Sequence, residues 1–337
     1  MTDQKLLSRL DNRLDQLVNI DIGERGVEHL FLAAREAQGG SLVGAAADAL
    51  LSVPRGGTVF LTTGSVSRAW ITPDLGENDG PSGAAAVARA LVLERNATCF
   101  MLCEETLLPA IQNVMMAAGL FPVTPEQAAI ARADRSLATI VMLPYATEDE
   151  EGKSQAQTLL DDLKPDLLFS TERVGRNAFG IYHSMRGIDY GMGRARVDFL
   201  FDEALERNIP VVAVGDGGNE IGMGKVARHV KEYVPYGDRC QCGCGGGIGA
   251  TTSCDVLVTA ACSNWGCTAI VAAMAARTGR AKLLHTPERE ALLLDTMVAN
   301  GLINSTHGLV DDNVDGFPRQ AHLSIAELCT TIVNCAL

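Results

Sequence analysis

The residues best suited to chemistry lie in one short segment, Gly215–Glu220, which has the sequence GDGGNE. Asp216, Asn219 and Glu220 supply oxygen ligands, and three glycines allow positive φ values and a close approach of the backbone to a ligand. The preceding run, Pro210–Val214, is apolar and β-branched, which is typical of a strand buried on both faces. Because ligands bind beyond the carboxyl ends of parallel strands, we predict a binding site here. The alternative is a strand-to-helix connection whose acidic residues face a helix N-terminus.

Other acidic and polar residues follow the remaining predicted strands or lie in glycine-containing loops. If the strands are parallel, their carboxyl ends share one edge of the sheet, and the acidic loops can reach that edge. Converging carboxylates raise one another's pKa unless a cation lies between them. An all-oxygen ligand set suits Mg²⁺, Mn²⁺ or Ca²⁺ better than zinc, whereas each acid taken alone is more typical of a solvated loop. We predict a divalent metal held by Glu77, Asp79, Asp216, Glu220 and Asp315, with Thr63, Gly64, Glu172, Arg173, Ser263, Asn264, Asp311 and Asp312 at the same edge.

Alternating strands and helices would position these residues. Apolar segments rich in β-branched residues are predicted to be strands, and helical periodicity recurs between them. This order indicates an α/β fold: a mostly parallel sheet of about six strands, with helices on both faces and extra N- and C-terminal helices. We divide the chain into an N-terminal helical segment packed on the core, residues 1–55, and an α/β domain, residues 56–337. The predicted strands are Thr58–Thr62, Thr98–Cys103, Ala138–Leu143, Asp166–Ser170, Val211–Val214 and Asp255–Ala260.

Composition narrows the classes of protein to which the chain can belong. The 337 residues are 47% hydrophobic and 20% charged, as in globular proteins, and they carry a formal net charge of −13. This charge argues against a nucleic-acid partner and suits a site that binds cations. We expect no membrane span, because no apolar run reaches ~18 residues. The charged, amphipathic N-terminus indicates no secretory signal, so the ten cysteines are interpreted as reduced thiols of a cytoplasmic protein.

Two other motifs give weaker signals. Gly222–Ala227 (GMGKVA) resembles part of a dinucleotide fingerprint, but it is predicted to lie inside a helix that resumes near Ile221. Lys225 lacks the following Ser or Thr of a Walker A loop. The thiol run Cys240–Cys244 has the spacing CxCxC, which could hold zinc or an iron–sulfur cluster, but it lacks paired CxxC motifs. A flexible loop rich in glycine and cysteine is the favoured interpretation.

A family resemblance is carried by five glycine-rich or charged segments. These are Asp79–Gly83 (DGPSG), Glu172–Arg176 (ERVGR), Gly215–Val226 (GDGGNEIGMGKV), Ser263–Gly266 (SNWG) and Val314–Pro318 (VDGFP). In this order they resemble the C-terminal domain family of D-glutamate cyclase, from about Gly56 to the C-terminus. The resemblance implies a stand-alone version of that domain, without the additional N-terminal domain of the animal enzyme. The thiol-rich insert Cys240–Gly247 departs from the family pattern.

The resemblance implies a lyase that interconverts D-glutamate and 5-oxo-D-proline with loss of water. The substrate's amine must attack its γ-carboxylate, a poor electrophile, which a divalent cation, Mn²⁺ or Mg²⁺ with Ca²⁺ as an alternative, would polarise. Glu172 is the candidate base, or else the ion-pair partner of a nearby arginine. Arg173, Arg176 or Arg186 would clamp the α-carboxylate. The predicted catalytic residues are Glu172, Arg173, Asp216 and Asn264, and the predicted substrate contacts are Arg176, Arg186, Gly217, Gly218, Asn219 and Ser263.

Two other functions fit the same residues. A metal-dependent phosphatase would use the carboxylates for Mg²⁺ or Mn²⁺ and the arginines for phosphate, because guanidinium pairs with either anion. A non-catalytic protein that binds acidic amino acids or cations needs the same strand-end acids. The complete GDGGNEIGMG segment and the adjacent Glu172 and Arg173 favour an enzyme, and the resemblance favours the cyclase. The expected partner is a small molecule, an acidic amino acid or a phosphate ester, and homo-oligomerisation is left open.

Overall fold

A parallel β-sheet of seven strands lies at the centre of the computed structural model, which describes residues 4–336. The strands are β1 (Thr58–Thr62), β2 (Thr98–Cys103), β3 (Phe121–Pro122), β4 (Thr139–Pro144), β5 (Leu167–Thr171), β6 (Val211–Gly215) and β7 (Val256–Thr259). In space they follow the order β3-β4-β2-β1-β5-β6-β7. The predicted α/β fold and mostly parallel sheet are confirmed, and the two-residue strand β3 has no counterpart among the predicted strands.

Twelve α-helices connect or flank the strands in the described part of the chain. They are α1 (Gln4–Val18), α2 (Val27–Gln38), α3 (Leu42–Ser52), α4 (Pro81–Arg95), α5 (Leu108–Ala117), α6 (Pro125–Asp134), α7 (Asp149–Leu163), α8 (Asp198–Glu206), α9 (Ala227–Tyr233), α10 (Ser263–Thr278), α11 (Pro287–Ala299) and α12 (Arg319–Asn334). Within residues 4–336, none of these helices is both long and apolar enough to cross a lipid bilayer.

The order in which strands are added to the sheet reverses at β1 and β5, which are parallel neighbours in the middle of the sheet. From β1 the chain adds β2, then the edge strand β3, and then β4 between β2 and β3. It returns to place β5 beside β1 and then adds β6 and β7 outward. In open α/β sheets such a switch point leaves a crevice at the carboxyl ends of the strands, where ligands bind. The loops that follow β1, β5, β6 and β7 therefore border one crevice.

The connection after β6 differs from the prediction of a helix beginning near Ile221. The chain instead forms a turn and a short 3-10 helix, Met223–Val226, and α9 begins only at Ala227. Gly222 has a φ of 100°, and the N–H groups of Gly222 and Gly224 both donate to the carbonyl oxygen of Thr252, at 2.9 and 3.2 Å. These glycines therefore serve close packing between two loops, which explains why a helix cannot start earlier.

The first three helices pack against the sheet domain. Helices α1 and α3 contact α10, and α2 and α3 contact β7. The buried carboxylate of Asp15 fixes their arrangement, because it accepts the N–H groups of Leu42 and Val43 at 3.0 and 2.9 Å and pairs with Arg35 at 2.7 Å. The loop between α1 and α2 brings Arg25 to the carboxyl edge of the sheet. The division of the chain at residue 55 remains a prediction.

Candidate active site

A cavity of about 310 Å³ opens at the carboxyl edge of the sheet, at the predicted GDGGNE segment. Its acidic side chains are buried or half-buried, whereas its basic side chains range from half-buried to exposed. Apolar side chains, among them Met185, complete the lining. The acidic lining residues are Glu77, Glu172, Asp216 and Asp315, and the basic ones are Arg25, Arg68 and Arg186.

Glu220 shapes the loop that follows β6. One of its carboxylate oxygens accepts the N–H groups of Asp216 and Gly217 at 3.1 and 2.6 Å, and the other accepts that of Gly218 at 2.7 Å. Burial and the neighbouring Asp216 raise the pKa of Glu220 to about 7. Glu220 was predicted to bind metal, which stays a prediction, and three backbone amides also bind its oxygens. Its geometry supports a role in holding Asp216 in place.

Asp79 lies at the N-terminus of α10. Its carboxylate accepts the N–H groups of Gly80, Ser263 and Asn264 at 2.8, 3.2 and 3.1 Å. These bonds satisfy the first amides of the helix, which explains why α10 begins at Ser263. Burial and the charge of Asp216 raise the pKa of Asp79 to about 8.

Asn264 holds the loop that carries Asp79. Its side-chain oxygen accepts the N–H groups of Gly80 and Gly83 at 3.1 and 2.8 Å, and its side-chain nitrogen donates to the carbonyl oxygen of Asn78 at 3.3 Å. The side chain is buried and does not line the cavity. The structure therefore brings the Asn264 side chain to the loop of Asp79 and not to the cavity, and its predicted catalytic role stays a prediction.

Glu172 follows β5 and points into the cavity. Its φ of 56° lies in the left-handed region, which is uncommon for a residue other than glycine. The hydroxyl of Ser263 donates to one of its carboxylate oxygens at 2.6 Å. Burial, followed by the charges of Asp216 and Asp79, raises the pKa of Glu172 well above its usual range. Ser263, predicted to contact substrate, thus supports a carboxyl group whose pKa is raised by burial and neighbouring charges.

Arg25 and Asp315 come from opposite ends of the chain and form an ion pair beside Asp216. The guanidinium of Arg25 also lies 3.4 Å from the carboxylate of Asp216 and donates to the carbonyl oxygen of Ala261 at 2.5 Å. Burial and Asp216 raise the pKa of Asp315 well above its usual range, although Arg25 opposes the shift. Arg25 was not predicted as a site residue, because it lies outside every recognisable motif.

The acidic side of the cavity fits a divalent cation. Oxygen atoms of Asp79, Asp216 and Asp315 all lie within 4.8 Å of one another, and so do oxygens of Glu172, Asp216 and Glu220. Arg25 contributes one positive charge, and the pKa shifts of the surrounding acids show that repulsion remains. An all-oxygen set of buried carboxylates is the kind of site that Mg²⁺, Mn²⁺ or Ca²⁺ prefers.

Two of the three arginines predicted to bind substrate have other partners. Arg173 is completely buried, and its guanidinium forms a bidentate ion pair with the carboxylate of Glu104, with N–O distances of 3.0 and 2.7 Å. Arg176 pairs with Asp198 at 2.7 Å and with Asp202. Neither lines the cavity. Their predicted roles are therefore not supported, because local carboxylates neutralise both guanidinium groups.

Arg68 and Arg186 line the cavity instead. Arg186 was predicted, and its guanidinium donates to the carbonyl oxygen of Thr306 at 2.7 Å. Arg68 was not predicted, and it donates to the carbonyl oxygen of Ser305 at 3.0 Å. Arg68 lies in the loop that follows β1, so a search for charged residues after every predicted strand could have found it.

The remaining predicted residues lie at the cavity or in its supporting loops. Asn219 lines the cavity, and its side-chain nitrogen donates to the carbonyl oxygen of His183 at 2.8 Å. Glu77 also lines the cavity, but one of its oxygens accepts the backbone N–H of Ser65 at 2.9 Å and the Ser65 hydroxyl at 3.2 Å. Gly217 and Gly218 contribute backbone amides that Glu220 occupies. Glu77 and the two glycines therefore hold the loops in position.

Comparison with known proteins identifies the family. A family model described as D-glutamate cyclase-like, C-terminal, matches residues 14–328. The chain belongs to this family. It is also 27% identical over 353 residues to a human (Homo sapiens) protein named D-glutamate cyclase, mitochondrial, across 95% of this chain and 51% of that protein. The chain thus spans about half the length of this curated relative.

The range matched to the D-glutamate cyclase-like family contains the whole lining of the cavity, from Arg25 to Asp315. The resemblance found in the sequence from about Gly56 is therefore confirmed and extends further towards the N-terminus, through α2 and the loop of Arg25. The human relative is named as mitochondrial. A cytoplasmic location for this chain remains a prediction.

Proposed function

We propose that this chain is a metal-dependent D-glutamate cyclase-like lyase, which interconverts D-glutamate and 5-oxo-D-proline with loss of water. The observation that carries the proposal is the charge of the cavity lining, which combines four carboxylates with Arg68 and Arg186, two arginines that form no ion pair among residues 4–336. D-Glutamate has a carboxylate at each end and an amine beside one of them, so its charges match this arrangement. Membership of the family supports the same substrate.

Two arginines of the cavity lining would bind the α-carboxylate of the substrate. Arg68 and Arg186 both face the cavity, and a guanidinium group pairs with a carboxylate through two hydrogen bonds. Apolar side chains such as Met185 and Ile188 offer contacts for the two methylene groups. Bound in this direction, the substrate places its γ-carboxylate towards Glu172 and Asp216.

Asp79, Asp216 and Asp315 would hold a divalent cation, Mg²⁺ or Mn²⁺, at the buried end of the cavity. When bound, such a cation would polarise the γ-carboxylate and stabilise the negative charge that develops on its oxygen. Arg25 would hold two of these aspartates by ion pairing. The N-terminal amides of α10 would orient the third, Asp79.

Glu172 would move the proton that ring closure requires. As the new C–N bond forms, the substrate ammonium loses two protons, and the departing carboxylate oxygen needs both of them to leave as water. Glu172 would accept these two protons one at a time from the nitrogen and pass each to the departing oxygen, which leaves as water once it holds both, so atoms and charge balance. A carboxyl group whose pKa is raised above its usual range suits this exchange, and the Ser263 hydroxyl keeps it in position.

Proton NMR tests the proposal directly. The protein is incubated with Mg²⁺ or Mn²⁺ and with D-glutamate, L-glutamate or a simple phosphate monoester, and every sample is repeated with chelator. Formation of 5-oxoproline from the D-isomer, abolished by chelator, would support the cyclase. Cleavage of the monoester without ring closure would replace it by a phosphatase, and turnover of no substrate would favour a non-catalytic binding protein.

Arg186→Ala tests the orientation of the substrate. Loss of this guanidinium should raise KM by roughly 10- to 100-fold, because a hydrogen bond to a charged group contributes about 1.5–3 kcal/mol, and kcat should change less. Arg207→Ala is the matched control, since Arg207 pairs with Asp161 and Glu203 away from the cavity. Steady-state kinetics with D-glutamate provide the measurement. An unchanged KM would remove Arg186 from the binding site.

A further inference from the structure

A second cluster of metal-ligand side chains lies outside the candidate active site. His183, Cys240, Cys242 and Cys244 each offer one ligand atom, and the four atoms all lie within 4.8 Å of one another. The sulfur of Cys240 is 3.3 Å from the sulfurs of Cys242 and Cys244. The Nε2 atom of His183 is 3.2 Å from the Cys242 sulfur and 3.9 Å from the Cys244 sulfur.

Backbone contacts force the three cysteines to converge. The N–H of Cys240 donates to the carbonyl oxygen of Gly246 at 2.8 Å, which closes the loop on itself. Gly243 and Gly245 have φ values of 83° and 84°, so the chain turns at the residues next to Cys244 in a conformation that favours glycine. The thiols of the alternate residues Cys240, Cys242 and Cys244 therefore lie close together.

The histidine comes from a different loop that is tied to the first. The N–H of Gln241 donates to the carbonyl oxygen of Gly187 at 2.7 Å, which holds the two loops together. The ring of His183 is fully buried, and its Nδ1 atom has no hydrogen-bond partner among residues 4–336. The thiols are thus the polar groups that face this imidazole.

We infer that His183, Cys240, Cys242 and Cys244 form a structural zinc site. Three thiolates and one imidazole are a typical ligand set for structural zinc, which prefers four tetrahedral nitrogen and sulfur ligands. The set differs in chemistry from the oxygen cluster of the candidate active site, so the two sites would select different metals. The side-chain nitrogen of Asn177 lies 3.5 Å from the Cys244 sulfur and stabilises a thiolate there.

A disulfide explains the cluster less well. It would join two of the three thiols and leave the third sulfur and the His183 ring without a ligand, whereas one zinc ion uses all four groups. The zinc would also fix the loop that contains Ser184, Met185 and Arg186, which line the cavity. The zinc would thereby join the loop after β5 to the loop after α9.

Metal analysis of the purified protein tests the site. The full chain, prepared without a metal-binding tag, should contain about one zinc per molecule by mass spectrometry of its elements. Cys242→Ser should lose most of this zinc, whereas Cys242→His should retain it, because imidazole can replace a thiolate at the same surface position. Cys335→Ser is the matched control, since Cys335 is an exposed thiol outside the cluster.

Two further measurements test whether the zinc binds to the thiol cluster and not to the carboxylate cluster, and whether the site exists in the folded wild-type protein. Asp216→Asn should keep its full zinc content, because it changes the other site only. Replacement of the zinc by Co²⁺ in the wild-type chain should give thiolate-to-cobalt absorption in the near ultraviolet and the visible bands of a tetrahedral ion. Wild-type protein without zinc and without the thiolate band, or protein that contains iron and inorganic sulfide, would overturn the assignment.

Discussion

At the scale of single residues, Glu172 combines features that reduce stability. Its left-handed φ costs about 1–3 kcal/mol in a residue other than glycine, and such strain is concentrated at functional sites. Its carboxyl group is also buried close to Asp216 and Asp79, which disfavours its charged form. Only one hydrogen bond, from Ser263, offsets this in the described part of the chain. The arrangement is therefore better explained by function than by folding.

Glu172→Gln should separate the contribution of Glu172 to turnover from its cost to stability. The amide keeps the shape of the side chain but cannot carry the proton, so turnover of D-glutamate should fall by roughly 10²–10⁴-fold. The thermal midpoint of the metal-free protein should rise, because one repelling charge is removed. Activity assays and calorimetry provide the measurements, with Glu151→Gln on the exposed face of α7 as control. Retained turnover would exclude Glu172 as the proton carrier.

The buried pair of Arg173 and Glu104 predicts an acid-sensitive fold. Burial alone would raise the pKa of Glu104, but Arg173, together with the N–H of Ala195 and the charge of Arg194, holds that pKa below its usual range. A carboxyl group whose pKa is lower in the folded than in the unfolded protein stabilises the fold above its unfolded pKa. This stabilisation is lost as the pH falls through the folded value.

Glu104→Gln should therefore destabilise the protein at neutral pH by about 3–5 kcal/mol, because it leaves the buried guanidinium of Arg173 without a counter-charge. The difference between the free energies of unfolding of wild type and variant should become smaller in acid, because protonation of Glu104 breaks its ion pair with Arg173 in the wild type as well. Urea unfolding between neutral and acidic pH measures both trends. Glu150→Gln, which breaks the exposed pair with Lys153, should change stability by no more than about 0.5 kcal/mol.

The sequence predicted most of the acids that converge but only one of the arginines that line the cavity, Arg186. Asp216 follows a parallel strand, Asp79 and Asp315 lie in glycine-containing loops predicted to reach the same edge, and their oxygens do meet. Arg173 is adjacent to Glu172 in sequence, yet it turns to Glu104, the residue that follows β2. Ion-pair partners depend on the direction of individual side chains and on tertiary packing, and neither can be deduced from spacing.

At the scale of elements, the segment after β6 depends on Gly224. A Cβ atom at this position would lie 2.3 Å from the carbonyl oxygen of Thr251, so a side chain would push two backbone segments apart. Gly224→Ala should lower the free energy of unfolding by about 1–3 kcal/mol. Gly40→Ala is the control, because a Cβ there would have no atom within 4 Å. Denaturant unfolding of both variants measures the difference, and equal stabilities would contradict the packing argument.

The strands were easier to predict than the connections. Continuous apolar runs, such as those of β2 and β6, are buried along their whole length and are therefore visible in the sequence. The prediction of a helix from Ile221 was wrong because Gly222 and Gly224 are needed for contacts with Thr252, which lies far along the chain. The start of helix α6 carries a clear sequence signal, a capping box of Thr124 and Gln127 with Pro125 between them.

At the scale of the whole molecule, both metal-ligand clusters combine residues that are distant in sequence. The acidic cavity needs Arg25 from the N-terminal helices and Asp315 from the segment before α12. In the thiol cluster, the cysteines have no paired spacing because the fourth ligand, His183, belongs to another loop. Spacing rules find ligands that are neighbours along the chain, whereas this fold assembles ligands by packing loops on one edge of the sheet.

If the acidic cluster binds a divalent cation as proposed, the stability of the whole molecule should depend on that cation. Any ion that binds the folded state alone stabilises it, by about 2.7 kcal/mol when its concentration is 100 times the dissociation constant. The thermal midpoint of the wild type should therefore rise as Mg²⁺ or Mn²⁺ is added. Asp216→Asn should raise the midpoint of the metal-free protein, because Asp216 raises the pKa values of Asp79, Glu172 and Asp315, and it should abolish the response to metal.

Titration of Mg²⁺ without chelator makes this test specific, because it leaves the thiol cluster undisturbed. Asp162→Asn, an exposed substitution on α7, removes the same charge from the surface and should respond to Mg²⁺ as the wild type does. If Asp216→Asn still responds fully, the cation binds elsewhere. If the wild type shows no response to Mg²⁺ or Mn²⁺, the buried carboxylates must instead be neutralised by protons and Arg25, and Glu172 would then act without a metal.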